Sequence, residues 1–358
     1  MKELKSERMK KLSFIIPLYN SAKWLEKCLC SVLNQDLPEE EMEIICVNDG
    51  SPDNSAEMAR EIGKKHSSII VIDQPNQGPS GARNTGMKAA TGKYLCFVDP
   101  DDFVEPNVYG KLVQQMEDER LDMLRFNYQI VDENYNLVEK RPFEKAFDYT
   151  PKLMSGAEFI ATRLDIACNI WRYIYRREII TMNEIWCFTG DYYDDTPWLP
   201  LVLLKAERMN VCDTVVYDYL VRDDSLVKTT NPKMMKRKAE GGLLLLNYLE
   251  KEIDVIIEKK LKIEDLRFKI LVPEEWKDGV IEWYRMLEAS VVTGLLTRIG
   301  VSLFPERRYY MRQLRAMNIF PLHEDKAESK ALRKIRIANI HPMLLVWMVK
   351  IKKMVCGL

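Results

Sequence analysis

Short apolar runs alternate with helical patterns through the first 130 residues of this 358-residue chain, and that alternation constrains its fold more than any other feature. Leu12-Ser13-Phe14-Ile15-Ile16 is rich in β-branched and aromatic residues and stops at Pro17. Apolar residues at 24, 25, 29, 32 and 33 then follow helix spacing. Glu43-Ile44-Ile45-Cys46-Val47 reads as a second strand, closed by Asn48-Asp49-Gly50-Ser51, and Asp53 caps a helix running to about Lys65. A third strand is expected over 69–72, a helix over 80–90 and a fourth strand over 94–98. Strands covered on both faces read as continuous apolar runs, and short loops between strand and helix favour parallel neighbours. The expected fold class is therefore α/β, a mostly parallel, doubly wound sheet flanked by helices. Ligands of such sheets bind at the carboxyl ends of the strands. Here those ends carry Pro17-Leu18-Tyr19-Asn20, Asn48-Asp49-Gly50-Ser51 and Asp99-Pro100-Asp101-Asp102.

From residue 121 the pattern loosens. Strands are expected over 122–131 and 215–221, with an aromatic strand-and-turn segment over 170–180. A second acidic cluster, Asp191-Tyr192-Tyr193-Asp194-Asp195-Thr196-Pro197-Trp198, precedes an apolar helical run. Beyond Lys233 the chain reads as helical, which gives a catalytic domain over 1–230 and a helical region over 231–358. Formal net charge is −1, so no global basic field points to nucleic acid. Eight cysteines without CxxC spacing and only three histidines argue against zinc, and they suit a reducing compartment. No apolar h-region follows Met1 and no apolar run is long enough to span a bilayer, so the expected location is cytoplasmic.

Asp99, Asp101 and Asp102 put three carboxylates into four positions directly after a buried strand. Like charges this close repel unless something neutralises them. Two readings are open: an acidic turn ahead of the next helix, or a site for a divalent cation carrying a phosphorylated ligand. Asp49 is placed to accept a hydrogen bond from a base N–H, and Tyr19 to flank the base, although Asn-Asp-Gly-Ser is also ordinary turn chemistry. Gly78-Pro79-Ser80-Gly81-Ala82-Arg83-Asn84-Thr85-Gly86 lets backbone approach a ligand closely, and Arg83 adds a planar fork suited to phosphate. There is no P-loop pattern and no GxGxxG after the first strand, so ATPase and dinucleotide readings fall away.

The order and spacing of these motifs over residues 12 to 110 resemble the family 2 glycosyltransferases, which have the nucleotide-sugar-binding GT-A fold. The resemblance implies an inverting transfer from a nucleotide-diphosphate sugar, most commonly UDP-linked, to a hydroxyl of a glycan or lipid-linked acceptor. It implies that Pro17, Tyr19, Asn20 and Asp49 hold the nucleoside and that Arg83 and Asn84 lie against the nucleotide and its diphosphate. Asp99 would lean towards the ribose and, with Asp101, bind Mg²⁺ or Mn²⁺, with Asp102 behind them. Asp194-Asp195 resembles the family's Glu-Asp motif beside the acceptor, shortened at Asp194, with Asp195 at the position of the catalytic base. Both acids would also stabilise a helix N-terminus without any catalytic role. Arg222 and Ser225 are candidates to close over the diphosphate, and Tyr193 and Trp198 to stack on sugar rings.

Two alternatives stand beside this reading. A sugar nucleotidyltransferase would want a glycine- and arginine-bearing loop straight after the first strand, where this chain has Pro17-Leu18-Tyr19-Asn20. A silent nucleotide-sugar-binding protein would be expected to lose Asp101 or the 194–195 pair, and both are kept. At the other end, residues 305–358 carry 12 Lys or Arg against 4 acids. The apolar stretch Met343 to Val349 within them ends in lysines. It suits either contact with the inner, anionic face of the membrane or a terminal helix packed on the protein.

Overall fold

The computed structural model describes residues 10–140, 148–164, 167–188, 195–222, 231–258, 272–301, 303, 306–317, 320, 322 and 329–356. Nine strands among them form one sheet: β1 (Leu12–Leu18), β2 (Met42–Asn48), β3 (Ile69–Asp73), β4 (Tyr94–Phe97), β5 (Phe103–Val104), β6 (Met123–Val131), β7 (Leu137–Lys140), β8 (Tyr173–Arg176) and β9 (Met209–Leu220). Their order is β3-β2-β1-β4-β8-β6-β9-β5, with β7 beside β6. The expected α/β sheet is present, and its parallel part is β3-β2-β1-β4 together with the β6–β9 pair. The β4–β8, β6–β8, β6–β7 and β5–β9 pairs are antiparallel.

The chain divides into two compact units that interleave in sequence. The first, Met1–Gly156 with Asn169–Gly190 and Trp198–Arg222, contains the sheet. Its helices include α1 (Ala22–Leu33), α2 (Ser55–Gly63), α3 (Gly78–Ala89) and α4 (Tyr109–Asp118). All seven residues of β1 are buried, as a central strand flanked by β2 and β4 requires. Pro17 is tolerated there because pairing with β4 ends at Ile15–Phe97, so the missing N–H falls beyond that ladder. At the opposite end of the strands, buried Glu43 accepts hydrogen bonds from Ser13 Oγ at 2.6 Å and the Thr91 and Gly92 N–H groups at 2.6 and 3.1 Å. A Cβ on Gly92 would lie 2.8 Å from the Ser13 backbone nitrogen, so only glycine fits that turn.

The second unit, Ala157–Cys168 with Asp191–Pro197 and Asp223–Leu358, is helical among its described residues. It holds most of α5 (Gly156–Thr162) and the start of a helix over Asp195–Lys205, with a short helix over Arg177–Thr181 lying between them in the first unit. In chain order the two are α6 (Arg177–Thr181) and α7 (Asp195–Lys205). Then come α8 (Pro232–Glu258), α9 (Glu274–Val301), α10 (Arg307–Ala316), α11 (Ser329–Ile340) and α12 (Pro342–Cys356). Helix α9 packs against α8, α11 and α12. Among the described residues no helix is long and apolar enough to cross a membrane.

Three sequence expectations are corrected. The N-cap of α2 is Asn54 rather than Asp53, whose carboxylate accepts the Ser55 N–H from one position further back. The strand expected over 215–221 is the second half of the longer β9. The segment 170–180 resolves into a 3-10 turn over Ile170–Arg172, then β8 and α6.

Candidate active site

Strand order 3-2-1-4 reverses direction between β1 and β4, and the crevice beyond the carboxyl ends of strands at such a reversal is where a ligand sits. The ends of β1, β2 and β4 bring Tyr19, Asn20, Asp49 and the 99–102 turn to one edge. Tyr19 is 54% exposed, large and aromatic on an edge that is otherwise polar. Asn20 takes the left-handed backbone at φ +52° and donates its N–H to Ser51 Oγ at 2.8 Å, tying the end of β1 to that of β2. Asp53 secures the same junction by accepting from Ser51 Oγ at 2.6 Å and from the Ala22 N–H at 2.9 Å. Burial pushes its carboxyl up, but hydrogen bonds from Ser51, Ser55 and Ala22 outweigh this and hold it at about 2.

Asp49 is buried just past β2. Its Oδ1 accepts from Gln74 Nε2 at 2.7 Å and from the Gln77 N–H at 2.8 Å. This carboxylate therefore anchors the loop leading into α3. Gly50 follows at φ +65°, where a Cβ would meet the Asn76 nitrogen at 3.2 Å. From α3, buried Arg83 donates to Asp99 Oδ1 at 2.9 Å. Asn84 beside it faces elsewhere: its Nδ2 donates to Cys187 O at 2.8 Å and its Oδ1 accepts the Cys187 N–H at 2.7 Å.

The three carboxylates of the turn differ in environment. Asp99 and Asp101 are each about a quarter exposed, and Asp101 is ion-paired with Arg222 through Oδ2. Asp102 is buried. It accepts the Tyr217 hydroxyl at 2.8 Å and the Leu220 N–H at 2.8 Å. Burial first, and then the neighbouring charges of Asp101 and Asp99, push its carboxyl well above the usual range. Tyr217 also accepts the Asp99 N–H at 3.0 Å, and its ring stacks on Trp171 at 4.3 Å between centroids. Asp102 thus ties the turn to β9 and leaves Asp99 and Asp101 to face the crevice. Their oxygens are hard donors, and Mg²⁺ commonly takes one or two carboxylates together with substrate phosphates. Two partly exposed carboxylates, Asp99 and Asp101, one residue apart in the turn, fit a divalent cation that arrives with substrate phosphates. Among the described residues no group of three His, Cys, Asp or Glu surrounds a metal position, so a cation here would draw on few protein ligands.

Asp195 opens α7, with Pro197 in the first turn, and is half-buried. Asp191, Tyr192, Tyr193, Asp194 and Ser225 lie outside the described residues. Trp198 is not a sugar platform. It is fully buried, donates Nε1 to Ile185 O at 3.1 Å and meets Phe97 edge-on at 5.5 Å. Trp171, stacked against Tyr217 and Tyr219, is core as well. The sequence places Tyr217 in the strand expected over 215–221 but does not reveal its lock on Asp102, because a partner at residue 102 leaves no trace in local spacing.

The profile of glycosyl transferase family 2 matches residues 13–180. An uncharacterized glycosyltransferase of Bacillus subtilis (strain 168), EpsJ, is 34% identical over 219 residues, which is 61% of this chain and 63% of that protein. The chain thus spans less than two thirds of that relative's length. Among solved structures, S. aureus TarS 1–349 in complex with UDP-GlcNAc superposes with a TM-score of 0.55 at 19% identity, covering 92% of this chain and 90% of that one. A mannosyltransferase of Pyrobaculum calidifontis, in complex with GDP-Man and Mn²⁺, gives a TM-score of 0.53 at 15% identity, covering 97% and 87%. At these identities the structural likeness shows a shared fold, that of GT-A glycosyltransferases.

Proposed function

Because this chain belongs to glycosyl transferase family 2 over residues 13–180, we propose that it moves a sugar from a UDP-sugar to a hydroxyl of a glycan or lipid-linked acceptor, with inversion, in the synthesis of a polysaccharide or cell-surface glycan. The observation that carries the reading is the 99–102 turn, with two crevice-facing acids held by Arg83, Arg222 and the Tyr217–Asp102 lock. In this reading Tyr19 flanks the base and Asp49 accepts a base N–H through Oδ2, while Oδ1 stays with Gln74 and Gln77. Pro17 and Asn20 shape the end of β1 around the nucleoside, Asp99 contacts the ribose, and Arg83 faces the diphosphate. Asn84 enters the cradle through its place on α3, its amide being committed to Cys187.

Asp99 and Asp101 would hold a Mg²⁺ or Mn²⁺, which when bound would neutralise, as a Lewis acid, charge developing on the leaving diphosphate. The superposed mannosyltransferase carries Mn²⁺, which supports this choice. Partly exposed ion pairs are worth about 1 kcal/mol or less, so Arg222 can leave Asp101 for a diphosphate oxygen at small cost. Asp195, with Asp194 beside it, takes the acceptor proton as its oxygen attacks the anomeric carbon and the bond to the diphosphate breaks. The transferase chemistry belongs to 1–230. The helical 231–358 region contacts the inner face of the membrane, keeping a cytoplasmic enzyme near a lipid-linked acceptor.

A thermal-shift screen of UDP, GDP and their sugars with Mn²⁺ tests the reading. One nucleotide class should raise the melting midpoint of the native chain and do so less in Asp101→Ala. Asp195→Asn should keep that shift while transfer falls about 10²–10⁴-fold, the usual worth of a general base. No response to any nucleoside diphosphate, or release of pyrophosphate from a nucleoside triphosphate and a sugar phosphate, would overturn it.

A further inference from the structure

Helix α10 carries Arg308, Arg312 and Arg315 at i, i+4 and i+7, a single stripe. All three are exposed, whereas Tyr310, Met311 and Leu314 turn into the core. None of the three makes an ion pair among the described residues. With Arg307, Met311 and Met343 of α12 they line an open cleft of about 440 Å³. Next to Met343, helix α12 buries Leu345 and Val346 but leaves Leu344, Trp347 and Met348 at 42, 46 and 40% exposure. The unit therefore sets a stripe of unpaired guanidinium groups beside a stripe of exposed apolar side chains that includes a tryptophan.

Each half constrains what can bind. Guanidinium forks favour phosphate oxygens, which they meet bidentately. A soluble polyanion satisfies the arginines but leaves Leu344, Trp347 and Met348 in water. A protein interface puts apolar residues at its centre but depletes charge there. A bilayer with anionic headgroups satisfies both, with arginines at the phosphates and the apolar stripe at the acyl boundary.

We propose that α10 and α12 together form a binding site for the phosphate headgroups of an anionic bilayer, with Arg308, Arg312 and Arg315 as the phosphate contacts and Leu344, Trp347 and Met348 as the inserted edge. This rests on the membrane contact in the proposed function and moves its charged part from the terminal lysines to α10.

Sedimentation of the full-length chain with extruded vesicles tests it. Vesicles of phosphatidylcholine containing about 30 mol% phosphatidylglycerol should pellet the protein, and pure phosphatidylcholine should not. Arg308→Gln, Arg312→Gln and Arg315→Gln should each lower partitioning roughly fivefold, and raised salt should lower it further. Leu344→Ser with Trp347→Ser should weaken binding to the anionic vesicles while the arginines are intact. All these positions are exposed, so an unchanged melting curve will show that the variants fold. Equal pelleting of the triple-Gln variant and the native chain would overturn this site while leaving a membrane contact standing. No pelleting with either vesicle would overturn both, and so would arginine-dependent heparin retention without vesicle binding. The nucleotide-dependent thermal shift, read on the same preparation, reports the donor site separately.

Discussion

One hydroxyl joins the two halves of the candidate donor site. Tyr217 Oη donates to Asp102 and accepts the Asp99 N–H, so Tyr217→Phe removes two partners from buried or half-buried groups. A buried polar group left unpaired costs about 1–3 kcal/mol, which sets the expected loss of stability. A role confined to packing would end there. Because the hydroxyl also pins the turn at Asp99 and Asp102, on either side of the proposed metal-binding stretch, Tyr217→Phe should weaken Mn²⁺-dependent nucleotide binding several-fold in calorimetric titration. A lower melting point with unchanged affinity would assign the hydroxyl to the fold alone. The next residue points to the other face, since successive side chains of a strand alternate. There Asp218 accepts from Gln129 Nε2 at 2.6 Å, and the same amide nitrogen reaches Glu105 Oε1 at 2.9 Å. Burial pushes the Asp218 carboxyl up to about 6, helped by Glu105 and opposed by Gln129 and Lys27. Its folded pKa lies above the unfolded value of about 4, so the stability it contributes is complete below pH 4 and is lost as pH rises through about 6. Asp218→Asn should therefore melt a few degrees above the native chain at pH 7.5, with the gap closing towards pH 4. A gap that persists unchanged at pH 4 would remove this assignment.

At the scale of elements, α3 does more than present Arg83. Through Asn84 it grips Cys187 by both backbone groups, and Cys187 lies on the stretch leading to α7 and Asp195. Asn84→Ala should thus lower the transfer rate about tenfold, through lost positioning. The dissociation constant for the nucleoside diphosphate should stay within about twofold, since the lost hydrogen bonds act away from the donor. A large loss of nucleotide affinity with the rate at saturation preserved would instead put the Asn84 amide against the donor. The parallel strands β1 to β4 were legible in the sequence because each is a short apolar run stopped by turn residues. The carboxyl ends they deliver, at Tyr19, Asp49 and Asp99, were legible for the same reason. Strand β9 was half hidden because its first part carries exposed Asp213 and Thr214, which break the apolar pattern. Trp198 was misread because adjacency to the acids in sequence says nothing of helix rotation, which turns its ring onto Phe97 and Tyr175. The split among three neighbouring acids, one buried and two facing the crevice, was equally hidden: it depends on Tyr217 and Arg222, more than a hundred residues away.

At the scale of the whole molecule, the two compact units interleave in sequence. The second unit takes in 157–168 and 191–197 from the middle of the chain. Helix α5 shows why: Ala157, Phe159 and Ile160 are buried, and a Cβ on Gly279 of α9 would lie only 2.5 Å from the Ala161 Cβ. Glycine at 279 is what lets α9 lie that close to α5. A fragment ending at 230 keeps α5 but loses α8 and α9, the helices that share its unit. Burying a large apolar side chain contributes about 1.5–3 kcal/mol, so exposing Phe159 and Ile160 forfeits about 3–6 kcal/mol. Against a typical net stability of about 5–15 kcal/mol, that is enough to leave the fragment marginal. The 1–230 fragment should accordingly bind a hydrophobic dye such as ANS and melt well below the full chain. Gly279→Leu in the intact protein should reproduce part of the effect by forcing α9 away from α5. A fragment that melts cooperatively within a few degrees of the full chain, without dye binding, would show that α5 finds its cover inside the sheet unit and that the helical region can be removed without cost to the transferase fold.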